Sequence, residues 1–558
     1  MPAEEMAVML LNRLSTLETQ RMTWEHHWQE VADYIVPRKA DITKKRSAGD
    51  KRQELIFDGT AIHSAELLSA SLHGMLTNAS TPWFSLRFRD NETDMMDEAK
   101  EWLEGATDVM YQAFQRSNFQ EQVHELYHDL ITFGTGVMFV EADEENQVRF
   151  GTRHISECYV SEDDQGRVDT VYRKFKMPVR AAAMRFGEKS LSQKMTKALT
   201  EDPYSEVTII HVVRPREERD ITKEDTLNKP FLSCYIDPDE KIIMSESGYD
   251  EFPYTVPRYL KASFELGYGR SPAMTALPDI KMLNKMSETT IRAAQKQVDP
   301  PLMVPDDGFM LPIRTVPGGL NFYRSGTRDR LEPLNIGANI PLGLSREEQR
   351  RTAIRSAFFV DQLIMGEGPQ MTATEVVKRT EEKMRLLGPV LGRLQAELLQ
   401  PLINRVFNIL ARQQAFMPAP ESLQEQGDID IEYVSPLAKA QRSGDVQSVM
   451  RLFELIGPMG QLDPGVFDYM DTDGMVKYLI KVLGVPASVV RGEDEVFEKR
   501  TERAEQQAQQ QEMAQMAQMA EAAGNAAPAV KAVDGLQQMA AEQGQEETPV
   551  GAEMEEVA

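Results

Sequence analysis

Apolar positions at the start of the chain recur at helical spacing. Met6, Met9, Leu10, Leu14 and Leu17 are followed by Trp24, Trp28, Val31 and Ile35, which predicts a helix over residues 4–36 that ends at Pro37. A basic polar loop, RKADITKKRSAGDKR, comes next. A second apolar helix is expected over about 60–78, after the turn residues Asp58-Gly59-Thr60. TPWFSLRF then reads as a turn entering a short strand, and residues 96–133 as two helices broken near Ser117-Asn118.

From 134 to about 260 the spacing changes. GVMFVEAD, VRFGTR, RVDTVYRKFKM, EVTIIHVVRP, FLSCYID and KIIMSES are rich in β-branched and aromatic residues and bounded by turn residues, as half-buried strands are. Asp237-Pro238-Asp239 predicts a hairpin turn. One helix of about 15 residues is expected to interrupt the strands over 178–200. The region is α+β.

Helical spacing returns over 271–297. Residues 298–344, rich in Pro and Gly, read as a loop-and-strand insert, and a basic helix is expected from Ser345 to Val360 with Arg346, Arg350, Arg351 and Arg355. After the loop DQLIMGEGPQM, a long helix should run from Thr372 to Phe416. Thr372 and Glu375 form a capping box at its start, the hydroxyl and the carboxylate each meeting an orphan N–H. Pro389 should kink it, and Pro401 again, because proline removes a hydrogen bond and crowds the preceding turn. Residues 436–500 read as short helices, 501–522 as a polar Gln- and Met-rich helix, and 523–558 as an acidic disordered tail.

Composition narrows the function. The chain has 558 residues, 41% of them hydrophobic and 27% charged, enough to bury a core and to form several domains. Its net charge is −26 and its pI about 4.9, so it repels nucleic acid at long range. That excludes a tight phosphate-gripping protein, but not a surface past which DNA slides. Two cysteines, Cys158 and Cys234, allow one disulfide at most and no four-cysteine zinc site. The first residues lack a signal-peptide pattern, and no stretch approaches a bilayer span, so a soluble protein made inside a cell is expected.

The sharpest chemical motif is His124-Glu125-Leu126-Tyr127-His128, the H-E-x-x-H of zinc peptidases. Zinc hydrolysis needs a third ligand and an open position for water. The extended pattern fails, with Ile131 where Gly belongs and Gly134 where the third His belongs. Phe119, Val123, Leu126, Tyr127 and Leu130 define the apolar face, which puts His124 and His128 on its flank, toward the polar side. They read as boundary histidines of a half-buried helix, with His124, Glu125 and His128 as the metal alternative. No phosphate-binding loop of the Walker type and no G-x-S-x-G elbow is present. No cofactor and no enzymatic activity are expected. The Arg346–Arg355 cluster could line a DNA path or pair with acids on a neighbouring helix or subunit.

The order of segments resembles the head-to-tail connector (portal) proteins of short-tailed, podovirus-type bacteriophages. The resemblance is carried by Trp28-Gln-Glu-Val-Ala-Asp-Tyr-Ile-Val-Pro37, Phe57-Asp-Gly-Thr60, Pro82-Trp83-Phe84 and Leu130-Ile-Thr-Phe-Gly-Thr-Gly136. It continues through Gly166 to Arg173, Pro257-Arg-Tyr259, Gly267-Tyr-Gly-Arg-Ser-Pro272, Ala276 to Asn284, Asp299-Pro-Pro301 and Met371 to Val376, over roughly residues 20–415.

The resemblance implies a mainly helical α+β protomer with wing, stem, clip and crown regions. It also implies a ring, usually a dodecamer, at one capsid vertex of the virion, through which double-stranded DNA is packaged and ejected. The wing would take residues 1–270, the first stem helix 271–297, the clip 298–344 and the second stem helix 345–360. The tunnel loop would take 361–371, the long kinked helix and return to the wing 372–435, and the crown 436–522. Partners would be further copies of the chain, the DNA cargo, terminase, a tail adaptor, scaffolding and major capsid proteins, with no membrane, and assembly in the host bacterial cytoplasm. On this reading Lys281, Lys285, Arg292, Lys296, Arg346 and Arg350 are candidates to face the DNA. Met365, Gly366, Gly368 and Met371 would give the tunnel loop a soft surface and a pliant backbone. The rival readings are a zinc-dependent metallopeptidase and an internal scaffold or minor capsid protein that forms no channel.

Overall fold

The computed structural model describes residues 3–47, 49–88, 97–223, 225–265, 267–303, 332–333, 340–363, 387–420, 431–433, 449–452, 454–456, 474–476, 479 and 493–522. The chain divides into two units, Met1–Gly484 and Val485–Ala558. The second unit contributes the helix Glu493–Ala522, which begins eight residues before the polar segment expected to be helical.

The helices of the first half form where the apolar spacing predicts them. They are α1 (Ala3–Ile35), α2 (Thr60–Leu76), α3 (Asp97–Arg116) and α4 (Phe119–Phe133). The short strand β1 (Leu86–Phe88) lies between α2 and α3 and pairs antiparallel with Ile431–Tyr433, a partner more than 300 residues away. Beyond α4 come β2 (Met138–Asp143) and β3 (Gln147–Thr152), a hairpin. The edge of β2 is completed by β9 (Tyr254–Thr255).

A separate five-stranded antiparallel sheet has the order β4 (Cys158–Glu162), β5 (Val168–Pro178), β6 (Glu206–Pro215), β7 (Phe231–Asp237) and β8 (Ile242–Tyr249). Strand alternation gives this sheet two buried faces. Ile210 and Val212 of β6 join Leu232, Cys234 and Ile236 of β7 against Ala7, Leu10, Leu14 and Leu17 of α1. Ile209, Phe175 and Tyr235 face the other way, against Val179, Ala182 and Met195. The β7–β8 hairpin turns at Asp237-Pro238-Asp239, where the Asp237 carboxylate accepts the Asp239 N–H at 2.9 Å. Cys158 and Cys234 are free and buried, and burial pushes both thiols up to about 12.

Two expectations need correction here. Residues 178–200 form two helices, α5 (Val179–Phe186) and α6 (Gln193–Glu201), not one. Gly187 breaks the run with φ +83°, and Ser192 restarts it by accepting the Met195 N–H. The strand β4 is one that apolar spacing does not predict, because its five residues carry little alternation.

The largest core joins the second half of α1 to α2, α3, α4, the β2–β3 hairpin and the later helices. Those are α7 (Pro272–Val298), α8 (Ile340–Ala357), α9 (Val360–Leu363) and the helical residues 387–412. The helix α8 starts at Ile340, five residues before the expected Ser345, and tolerates Pro341 in its first turn, where no intrahelical N–H is needed. Pro389 lies within the helical run 387–394. The described irregularity is instead a π-turn at Gln395–Leu399, just before Pro401. Proline at 401 cannot donate to the Glu397 carbonyl, and the widened turn relieves that clash.

The π-turn presents the Glu397 side chain to Arg258. The Arg258 backbone N–H and Nε donate to one Glu397 oxygen at 2.9 and 3.0 Å, and Nη2 to the other at 2.7 Å. Arg258 also pairs with Glu162 of β4, which Lys261 holds from the other side at 2.6 Å. This buried ion network ties the edge of the five-stranded sheet to the late helix.

The junction after α4 is fixed by backbone contact. Gly134 caps the helix in the left-handed region, φ +78°, and its N–H donates to the Leu130 carbonyl at 2.9 Å. Residues 258–260 and 269–270 cross directly over it: the Tyr259 N–H donates to the Gly134 carbonyl at 2.9 Å. The crossing leaves no room for a side chain on either Gly134 or Gly269.

Candidate functional site

The helices α7 and α8 pack antiparallel, since Gly343 near the start of α8 meets Thr290 late in α7, while Arg350 pairs with Asp279 early in α7 at 2.8 Å. Ser271 caps α7 by accepting the Met274 N–H at 3.0 Å. Pro278 sits inside the helix with its ring on the exposed side. The buried side is made of Ala273, Leu277, Ile280, Leu283, Asn284 and Ser287. Asn284 also accepts the N–H groups of Phe57 and Asp58 at 2.8 and 3.1 Å, which fixes α7 to the turn that opens α2.

The opposite face is cationic. Lys281, Lys285, Arg292 and Lys296 are all exposed. At about 100° per residue they fall within a sector of roughly 60°, spread over about 22 Å of helix axis. Two carboxylates temper the stripe. Glu30 of α1 lies 3.2 Å from Lys281, and Glu288 lies 2.8 Å from Lys285 and 2.6 Å from Arg292. The cations beside Glu288 hold its carboxyl below the usual range. Lys296 has no ion-pair partner among the described residues.

On α8 the arginines divide. Arg350 pairs with Asp279, Arg351 with Asp58 at 2.9 Å and Glu347 at 3.0 Å, and Arg355 with Glu348 at 3.1 Å. Arg350 and Arg351 thus reach acids outside α8, at Asp279 and Asp58, whereas Arg355 pairs within its own helix. Arg346 is exposed and unpaired among the described residues. Met365, Gly366, Gly368, Met371, Thr372 and Glu375 lie outside the described residues.

The H-E-x-x-H helix resolves differently from its expected half-buried flank. His124 is exposed, but His128 is 5% and Asp129 0% exposed. Residues 37–41 fold over that flank: Lys39 lies 2.9 Å from Glu125 and 2.5 Å from Asp129. Burial pushes the His128 imidazole down to about 3 and the Asp129 carboxyl up to about 6, the latter opposed by Lys39. Glu125, the would-be catalytic base, is thus committed to a lysine. His124 sits beside His73 of α2 with ring centroids 5.7 Å apart. Among the described residues no group of three or more His, Cys, Asp or Glu could hold a metal ion. No helix among them is long and apolar enough to cross a membrane.

Glu30 and Glu288 escaped the sequence reading as modulators of the stripe. Glu288 was visible at i+3 from Lys285 and i−4 from Arg292. Glu30 was not, because only the packing of α1 on α7 brings it there.

The profile of the bacteriophage head to tail connecting proteins covers residues 8–490, and the chain belongs to that family. The probable portal protein of Bordetella phage BPP-1 is 33% identical over 504 residues, spanning 89% of this chain and 90% of that one. The portal protein of Salmonella phage epsilon15 is 32% identical over 506 residues, spanning 88% and 90%. The neck of an empty gene transfer agent particle superposes with a TM-score of 0.33 at 13% identity, over 77% of this chain and 95% of that one.

Proposed function

We propose that the chain is the subunit of a phage portal: a ring at one capsid vertex through which double-stranded DNA enters and leaves the head. The observation that carries the proposal for DNA passage is the cationic stripe of α7 in a chain of net charge −26. A channel must screen phosphates from its acidic walls without holding them, because each tight phosphate contact adds to the barrier for sliding. Four exposed cations tempered by Glu30 and Glu288 suit that requirement. On this reading α7 and α8 are the stem, with Lys281, Lys285, Arg292, Lys296 and Arg346 toward the bore. Residues 298–344 are the clip that receives terminase and later the tail adaptor, and 361–371 the tunnel loop. The long helix crosses the wing, with its irregularity at Gln395–Leu399 just before Pro401, and 436–522 form the crown. Scaffolding and major capsid proteins contact the outside of the ring. A dodecamer is the expected assembly, and the role is structural, with ATP hydrolysis left to the terminase.

Negative-stain electron microscopy of the purified protein tests this. Annular particles with a central hole wide enough for a duplex are expected. Monomers at working concentration, or compact particles without a bore, would refute the portal reading and favour a scaffold role.

A further inference from the structure

One cation stands apart from the stem. Arg153, just after β3, is partly buried, its Nε is inaccessible to solvent, and its side chain finds no acceptor among the described residues. Its guanidinium lies over Gly151, where an added Cβ would come within 2.9 Å of Nη2. An arginine cannot shed its proton to escape burial, and an unpaired buried charge is costly. Arg173 beside it adds repulsion.

Arg153 lines a cavity of about 380 Å³ together with Arg38, Lys39 and Arg173. Each carboxylate at that cavity already holds a cation through at least one oxygen, and Asp129 Oδ2 is buried without a partner. Glu125 and Asp129 share Lys39, Glu157 holds Arg173 at 2.9 Å, and Asp41 turns to Arg52 at 2.6 Å. The next residue, His154, adds a second unmet donor. Its Nδ1 accepts the Ser156 N–H, which leaves the ring proton on Nε2, buried and unpartnered. The adjoining loop 38–52 carries seven Lys or Arg against two Asp; Lys39, Lys44, Arg46 and Arg52 are ion-paired, while Arg38, Lys45 and Lys51 have no ion-pair partner among the described residues and leave the loop basic in a strongly acidic chain.

We propose that this cavity is half of an inter-subunit contact, completed by an Asp or Glu side chain of a neighbouring copy of this chain that pairs with Arg153. The proposal rests on the ring assembly argued above. A closed ring needs two different complementary patches on each copy. A chain of net charge −26 presents acids on most of its surface, so a recessed guanidinium in a basic island meets one readily. A single carboxylate side chain can enter the recess and bind the guanidinium through two oxygens.

The test replaces Arg153 with a residue that a zero-length carbodiimide can couple to a carboxylate. Particles assembled from a mixture of nitrogen-15-labelled and unlabelled Arg153→Lys protein are cross-linked and digested for mass spectrometry. The expected result is a peptide pair joining position 153 to an Asp or Glu peptide of the other isotope. Coupling confined to Glu125, Asp129 or Glu157 of the same chain overturns the proposal, as does no coupling at 153.

A second variant, Arg153→Ala, separates an interface role from a structural one. The concentration for half-assembly should rise about tenfold or more, while the isolated monomer unfolds at the same urea concentration as wild type or higher. A monomer weakened with its assembly unchanged refutes the contact. Stabilisation of the wild-type monomer, but not of Arg153→Ala, by inorganic phosphate or duplex DNA, with assembly independent of position 153, assigns the site to a phosphate and overturns the proposal. Wild-type protein that forms no rings refutes the portal reading as well; rings indifferent to both substitutions refute this contact alone.

Discussion

Replacing Gly134 with alanine should be among the most damaging single-methyl additions available to this chain. Two costs add. The residue adopts φ +78°, where an L side chain costs about 1–2 kcal/mol. The added Cβ would also run into the Gly269 carbonyl oxygen and stand 2.7 Å from the Gly269 carbon and 2.8 Å from that of Arg270. Those are backbone atoms of a segment pinned by the Leu260–Arg270 bridge and the Arg258 network, so they cannot turn aside as a side-chain end would. Overpacking of that kind costs about 1–3 kcal/mol, which brings the expected loss to roughly 2–5 kcal/mol.

Urea unfolding followed by tryptophan fluorescence is a suitable assay, because Trp28 Nε1 donates to the Phe133 carbonyl next to the substituted residue at 3.1 Å. Gly105→Ala is the internal control. Gly105 lies inside α3, an added Cβ there meets nothing within 4 Å, and the substitution should stabilise by about 0.5–1 kcal/mol. A Gly134→Ala protein within about 0.5 kcal/mol of wild type would show that the crossing of 258–260 and 269–270 over the end of α4 is not as tight as described, and the reasoning would fail.

Acid should expose the opposed titrations of His128 and Asp129. His128, held down to about 3, contributes stability above its unfolded value near 6.5 that is lost as pH falls below it. Asp129, raised to about 6, works the other way, gaining stability as pH falls from about 6 toward its unfolded value. Asp129→Asn removes the compensation, so the unfolding free energy from urea titrations between pH 6 and 4 should fall more steeply, by up to about 1.4 kcal/mol per pH unit; parallel curves for the two proteins would contradict this. Neutralising the α7 stripe with Lys281→Gln, Lys285→Gln, Arg292→Gln and Lys296→Gln together should flatten the salt dependence of weak duplex binding, by roughly 0.9 in log–log slope for each phosphate that is no longer neutralised. An unchanged slope in fluorescence anisotropy would remove the stripe from the DNA path.

Much of the fold was legible locally. The break at Ser117-Asn118 falls between α3 and α4 as spaced apolar residues required, and Asp237-Pro238-Asp239 closes its hairpin through an Asx turn. The misses were also physical. The 178–200 helix is interrupted by Gly187, whose signal is a single residue, and α8 starts five residues before the expected Ser345 because Pro341 and Gly343 lie in the Pro- and Gly-rich stretch assigned to the insert. The basic residues of the stem were chosen from the sequence, but their alignment on one exposed face of α7 required the buried side to be known.

Helix spacing, caps, turn residues and net charge act within a few positions or as simple sums, so the sequence by itself determined the element types, the helix-to-strand junction at Gly134 and the acidic character of the chain. Burial and charge pairing depend on segments remote in sequence. Only the tertiary structure decided that residues 37–41 bury His128 and Asp129, that Arg351 belongs to Asp58, that Glu30 tempers Lys281, and that Arg153 is left without a partner among the described residues. A charge in a folded chain is defined by what packs against it, and those neighbours come from helices and loops whose approach no local pattern encodes.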